Sequence, residues 1–120
     1  MFKLLKRAFP GPYTFILPGG NDLPNSFKKR KEVGVRIPDN TIIQAVLEGL
    51  GAPMVSRSIK DQDLFLEYTT DPELIHEHWQ HRVDLVIDGG IGGNVASTVV
   101  DLTQDPPMLI REGLGELDII

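Results

Sequence analysis

The chain has 120 residues, 41% of them hydrophobic and 24% charged, and no cysteine. That is enough for one compact domain and too little for two ordinary ones, and it excludes disulfides and thiolate metal sites. A net charge of −5 argues against a polyanion binder held by overall charge. No apolar run reaches the roughly 20 residues a bilayer span needs, and Met1-Phe2-Lys3-Leu4-Leu5-Lys6-Arg7 lacks the pattern of a secretory signal, so the expected address is cytoplasmic, with no membrane partner.

Residues 1–9 read as the end of a helix with Phe2, Leu5 and Phe9 roughly on one side, stopped by Pro10-Gly11-Pro12. Tyr13 to Leu17 reads as a strand bounded by Pro18-Gly19-Gly20, and residues 19–31 as a polar, basic loop. Val33, Val35 and Ile37 alternate with Gly34 and Arg36, the period of a half-buried strand. Ile42, Ile43, Val46, Leu47 and Leu50 then form a stripe at helical spacing. Asp39 or Asn40 supplies its N-cap, Gly51 its left-handed C-terminal residue and Pro53 its stop.

Met54-Val55-Ser56 is expected as a short strand, with an irregular stretch to Tyr68. A second helix starts at Asp71-Pro72, with Leu74, Ile75, His78 and Trp79 as its expected buried stripe and Arg82 near its end. Val83–Ile87 is expected as a strand, followed by the glycine loop Asp88-Gly89-Gly90-Ile91-Gly92-Gly93-Asn94. Ser97–Leu102 and Met108–Arg111 complete the pattern as an antiparallel pair of strands joined by a longer turn.

The glycine loop is no phosphate cradle of the Rossmann or Walker kind. Those need a helix N-terminus after the glycines, and here a strand follows. His76, His78 and His81 offer at best one pair at helical spacing, a poor metal site. The run Lys28-Lys29-Arg30-Lys31 is either a solvated loop tip or a local phosphate contact.

More telling are single polar residues on apolar strands. Burying an unpaired guanidinium is costly, so Arg36 and Arg111 must reach a carboxylate, a ligand or water. Ser56, Ser58 and Ser97 sit at strand ends, where hydroxyls can line a cleft. No nucleophile–base–acid set is fixed by spacing.

Five segments in order carry a resemblance: Lys6 through Leu17 with its proline-glycine-proline, Lys31 through Pro38 with Gly34-Val35-Arg36-Ile37-Pro38, Val83 through Gly90, Ser97 through Leu102, and Arg111-Glu112-Gly113. Together they resemble the YrdC/YciO family, in particular its YciO-like branch, over nearly the whole chain. The resemblance implies an α/β fold, a twisted, mixed open sheet with helices, formed by residues 1–120 as one domain. This domain corresponds to the rear portion of the family pattern. The front part, with its lysine-any-arginine motif, has no counterpart here, and Lys60 stands where the family's serine-any-asparagine motif has asparagine.

The family resemblance further implies a nucleotidyltransferase that joins ATP, L-threonine and bicarbonate into threonylcarbamoyl-adenylate and pyrophosphate, for threonylcarbamoyladenosine modification of tRNA. ATP would enter as a substrate with magnesium, and no metal would be held by the protein. Arg36, Ser56 and Ser97 correspond to the threonine site, Ser58 and Arg111 to the ATP site. Because the family is also associated with double-stranded RNA binding, the alternative is a non-catalytic RNA-, tRNA- or nucleotide-binding module that uses Lys28, Lys29, Arg30 and Lys31. Without front strands a sheet edge would be exposed, and a second copy or another partner is expected to cover it.

Overall fold

A computed structural model describes residues 2–20, 23, 25–27, 29–59 and 70–120. The chain divides into two compact units, Met1–Val55 with Val95–Ile120, and Ser56–Asn94. The first unit holds helix α1 (Phe2–Ala8), strands β1 (Tyr13–Pro18) and β2 (Glu32–Val35), helix α2 (Thr41–Leu50), and strands β3 (Thr98–Asp101) and β4 (Met108–Arg111). Short 3-10 turns form at Asn25–Phe27 and Leu117–Ile119. The second unit holds helix α3 (Pro72–Trp79). Among the described residues, no helix is long and apolar enough to cross a membrane.

The four strands form one sheet in the order β2-β1-β3-β4. β1 pairs antiparallel with β2 and parallel with β3, and β3 pairs antiparallel with β4. The expected mixed open sheet with helices is therefore present. Alternation along the strands sorts the side chains by face. Tyr13 lies opposite Thr98 and Phe15 opposite Val100, and all four are buried. They pack with Ala8 and Leu102, while Leu4, Leu5, Phe9 and Ile119 close over them. The Phe9 and Phe15 rings meet edge to face, with centroids 5.3 Å apart, an arrangement that aromatic quadrupoles favour. An open apolar groove of about 440 Å³ runs beside this core, lined by Leu5, Lys6, Phe9, Leu17, Val35 and Ile37.

Both longer helices are capped as their sequences require. Asn40, rather than Asp39, caps α2, its Oδ1 accepting from the Ile42 and Ile43 N–H groups at 3.0 Å. Gly51 closes the helix in the left-handed region at φ 69°. Asp71 caps α3 by accepting from Glu73 N–H, with Pro72 in the first turn.

Three expectations need correction. Met54–Ser56 and Val83–Ile87 are not strands, because a strand needs a neighbour to pair with and neither segment has one among the described residues. The stripes of α2 and α3 are in place, but no residue of either helix is buried: Ile42, Val46, Leu50 and Leu74 are exposed. His78 is likewise exposed and lies edge-on to Trp79. Helical spacing supplies an apolar face, but burial requires something to pack on it.

Candidate functional site

The sheet face opposite the Phe15 core carries a row of polar side chains. Alternation puts Thr14 of β1 on that face, beside Gly34 of β2 and opposite Val99 of β3. Ser97 precedes Val99 by two residues and so shares its side, and Arg111 of β4 lies opposite Val99. The Thr14 and Ser97 hydroxyls are 2.7 Å apart, within hydrogen-bond distance. The Arg111 guanidinium donates through Nε and Nη2 to the Ser97 carbonyl at 3.1 and 3.0 Å. A longer contact of 3.4 Å runs from Nη2 to Ser97 Oγ. Ser97 is buried, while Arg111 stays exposed.

Arg36 extends the row to the fourth strand. β2 ends with Val35 opposite Phe15, so the next register position sets Arg36 opposite Thr14. Strand-like pairing runs on beyond it, with Gly11 N–H donating to the Ile37 carbonyl at 2.9 Å. Arg36 is exposed. One edge of the row thus carries a guanidinium at a position facing Thr14. At its other edge, a guanidinium is braced by the main chain and presents further N–H groups. Two hydroxyls lie between. Such an arrangement suits a small ligand with carboxylate, hydroxyl or phosphate oxygens.

The backbone around the row is held firmly. Buried Thr98 donates its hydroxyl to the Gly115 carbonyl at 2.7 Å and accepts from Gly113 N–H at 3.0 Å. Tyr13 donates its hydroxyl to the Glu116 carbonyl at 2.8 Å. These bonds bind the segment after β4 to the starts of β1 and β3, and Leu114 N–H donates to the Ala96 carbonyl at 2.8 Å.

Of the candidates from sequence, the first unit brings Ser97 and Arg111 into contact and sets Arg36 on the same row. Ser56 and Ser58 belong to the second unit, where both are exposed on a segment without regular secondary structure. Lys60 lies outside the described residues, as does Lys28. Lys29, Arg30 and Lys31 are exposed, with the Arg30 guanidinium 4.9 Å from the centre of the Phe27 ring. The glycine loop leads into extended chain, and its turn is tied by Gly90 N–H donating to Asp88 Oδ1 at 2.9 Å. No group of three or more side chains suited to a metal forms among the described residues.

Sequence reasoning missed Thr14. A lone hydroxyl at an inner position of an apolar strand was the available signal, and it becomes visible only once β1 is paired with the strand that follows Ser97.

A family model for Sua5/YciO/YrdC proteins, described as telomere recombination, matches residues 1–113. YciO of Escherichia coli is 45% identical over 119 residues, a match that covers 97% of this chain and 57% of that protein. The threonylcarbamoyl-AMP synthase of Pyrococcus abyssi is 34% identical over 118 residues, covering 92% of this chain and 32% of that one. The crystal structure of E. coli YciO superposes with a TM-score of 0.88 at 43% identity, over 98% of this chain and 58% of that chain. The structure of P. abyssi Sua5 complexed with L-threonine gives 0.72 at 32% identity, over 93% and 33%. The chain thus spans a little over half of the YciO length and about a third of the synthase.

Proposed function

We propose, from the premise that this chain belongs to the Sua5/YciO/YrdC family, that its polar row is part of a site for L-threonine and ATP. The observation that carries this reading is the contact of Arg111 with Ser97, on a row whose next strands bring Thr14 and then the register position of Arg36. Relatives named threonylcarbamoyl-AMP synthase and a Sua5 structure holding L-threonine supply the ligands.

In this reading Arg36 receives the amino-acid carboxylate, and Ser97 contributes its hydroxyl to the same substrate. Arg111 serves the nucleotide, which enters as ATP with magnesium. Arg111 suits a phosphate because its guanidinium is already oriented by the Ser97 carbonyl, so little freedom is lost on binding. The reaction class is adenylate formation on a carboxylated L-threonine, with pyrophosphate leaving. Such chemistry runs on alignment and charge stabilisation, not on a protein nucleophile. The further proposal is that a second copy of the chain or another partner covers an exposed sheet edge, and that a second copy also covers the exposed apolar stripe of α2.

Calorimetric titration with L-threonine and with ATP tests the site. Removing a charged hydrogen-bonding partner costs about 1.5–3 kcal/mol, or roughly ten- to a hundredfold in Kd. Arg36→Ala is expected to weaken L-threonine by that factor, and Arg111→Ala to weaken ATP. Absence of both heat and thermal shift with the two ligands together sinks the reading. RNA binding through the basic run lacks comparable support, since the matched relatives with a stated activity are synthases.

A further inference from the structure

Thr14 and Ser97 are neighbours through their hydroxyls at 2.7 Å, although 83 residues separate them in the chain. Thr14 is a branched side chain with few χ1 choices on a strand. Its methyl lies on the β2 side, where a Cβ at Gly34 would meet it at 3.4 Å. A side chain at Gly34 would press on that methyl, and none is there. With the methyl over Gly34, the hydroxyl is turned to β3 and meets Ser97.

The proton count then restricts Ser97. A serine oxygen has one hydrogen to give and two lone pairs to receive. The two hydroxyls share one hydrogen bond, in which either could donate, so the pair has one O–H left over. Arg111 Nη2 also points at Ser97 Oγ, at 3.4 Å. When Thr14 donates, Ser97 Oγ receives from both Thr14 and Arg111, and its own hydrogen is free for an incoming oxygen. Without the Thr14 hydroxyl, Ser97 could turn to other acceptors, and that direction would be lost.

We propose that Thr14 is a positioning residue of the amino-acid site: its hydroxyl holds Ser97 Oγ as a donor directed at an oxygen of the bound amino acid. This rests on the reading of Ser97 as a contact of L-threonine.

The test is L-threonine titration of the full chain as wild type, Thr14→Val, Thr14→Ser, Ser97→Ala and the Ser97→Ala/Thr14→Val double variant, with a melting curve for each. Thr14→Val is expected to weaken L-threonine by about tenfold, the upper range for one hydrogen bond. Thr14→Ser keeps the hydroxyl and is expected to restore binding to within about twofold. On the Ser97→Ala background, Thr14→Val is expected to cost nothing further, which separates action through Ser97 from a packing effect. ATP affinity is expected to stay unchanged in Thr14→Val.

Wild-type affinity in Thr14→Val, or the same loss with and without Ser97, overturns the inference while leaving the L-threonine site standing. A wild type that ignores L-threonine removes that site and this inference with it. Should Thr14→Val not fold, Thr14→Ala against Thr14→Ser makes the same comparison, and equal affinities in those two overturn the proposal.

Discussion

Asp101 sits at the end of β3, where its carboxylate accepts the Thr103 hydroxyl at 2.6 Å, the Thr103 N–H at 2.8 Å and the Gln104 amide at 3.2 Å. The Thr103 hydroxyl, then the Thr103 main chain, hold its pKa below the ordinary aspartate value against the opposing effect of burial. A carboxyl with a depressed folded-state pKa stabilises the protein above its unfolded value, about 3.9. That contribution is lost as pH falls through the lower folded value. Melting temperature is therefore expected to drop in this acidic window, and Asp101→Asn, which keeps an acceptor but cannot titrate, is expected to show a smaller drop. Tyr13 mirrors it at the alkaline end. Burial first, then the nearby Asp118 and Glu116 carboxylates, raise its phenol above the ordinary tyrosine value. Its contribution is present below that value and lost as pH rises through the higher folded one, so Tyr13→Phe is expected to flatten the alkaline limb of the melting profile. Beside it, a Cβ at Gly115 would run into the Tyr13 ring. Overpacking of this kind costs about 1–3 kcal/mol, and Gly115→Ala is expected to lose that much in denaturant titration.

Among the elements, β1 contributes most to the core, because one of its faces is buried and the other carries Thr14 of the polar row. Phe15 is fully buried between Val100 and Phe9, and Phe15→Ala is expected to destabilise by about 3–5 kcal/mol, measured by chemical unfolding. The run Tyr13–Leu17 with its Pro18-Gly19-Gly20 boundary made this strand legible from sequence, as did the caps of α2 and α3, since a cap is decided within four residues of chain. Pairing is decided at a distance. Nothing in Val83–Ile87 distinguishes an apolar segment with a neighbour from one without, and there the strand reading failed. The polar row was half legible for the same reason. Arg36, Ser97 and Arg111 interrupt apolar patterns and declare themselves. Thr14 is an ordinary strand residue until register places Ser97 beside it.

At the scale of the molecule, the described surface carries many large apolar side chains, among them Leu50, Leu74, Leu85 and Ile91. Surfaces of this kind are association sites. Light scattering over a dilution series is expected to show a mass that rises with concentration. Val46→Glu with Leu50→Lys is expected to suppress that rise without lowering the melting temperature, as the solvent-facing α2 positions carry no core packing. A mass equal to one chain at every concentration would rule out the second copy as the cover for α2.

The parallel pairing of β1 with β3 also sets an order of events at the ribosome. Phe15 emerges first, and Val100, its partner across the ladder, follows only after the chain between them has been made. At roughly 5–20 residues per second that delay is on the order of ten seconds. Through it, the hairpin of β1 and β2 must keep one greasy edge unsatisfied. Until β3 is made, that edge stays open to a holding chaperone.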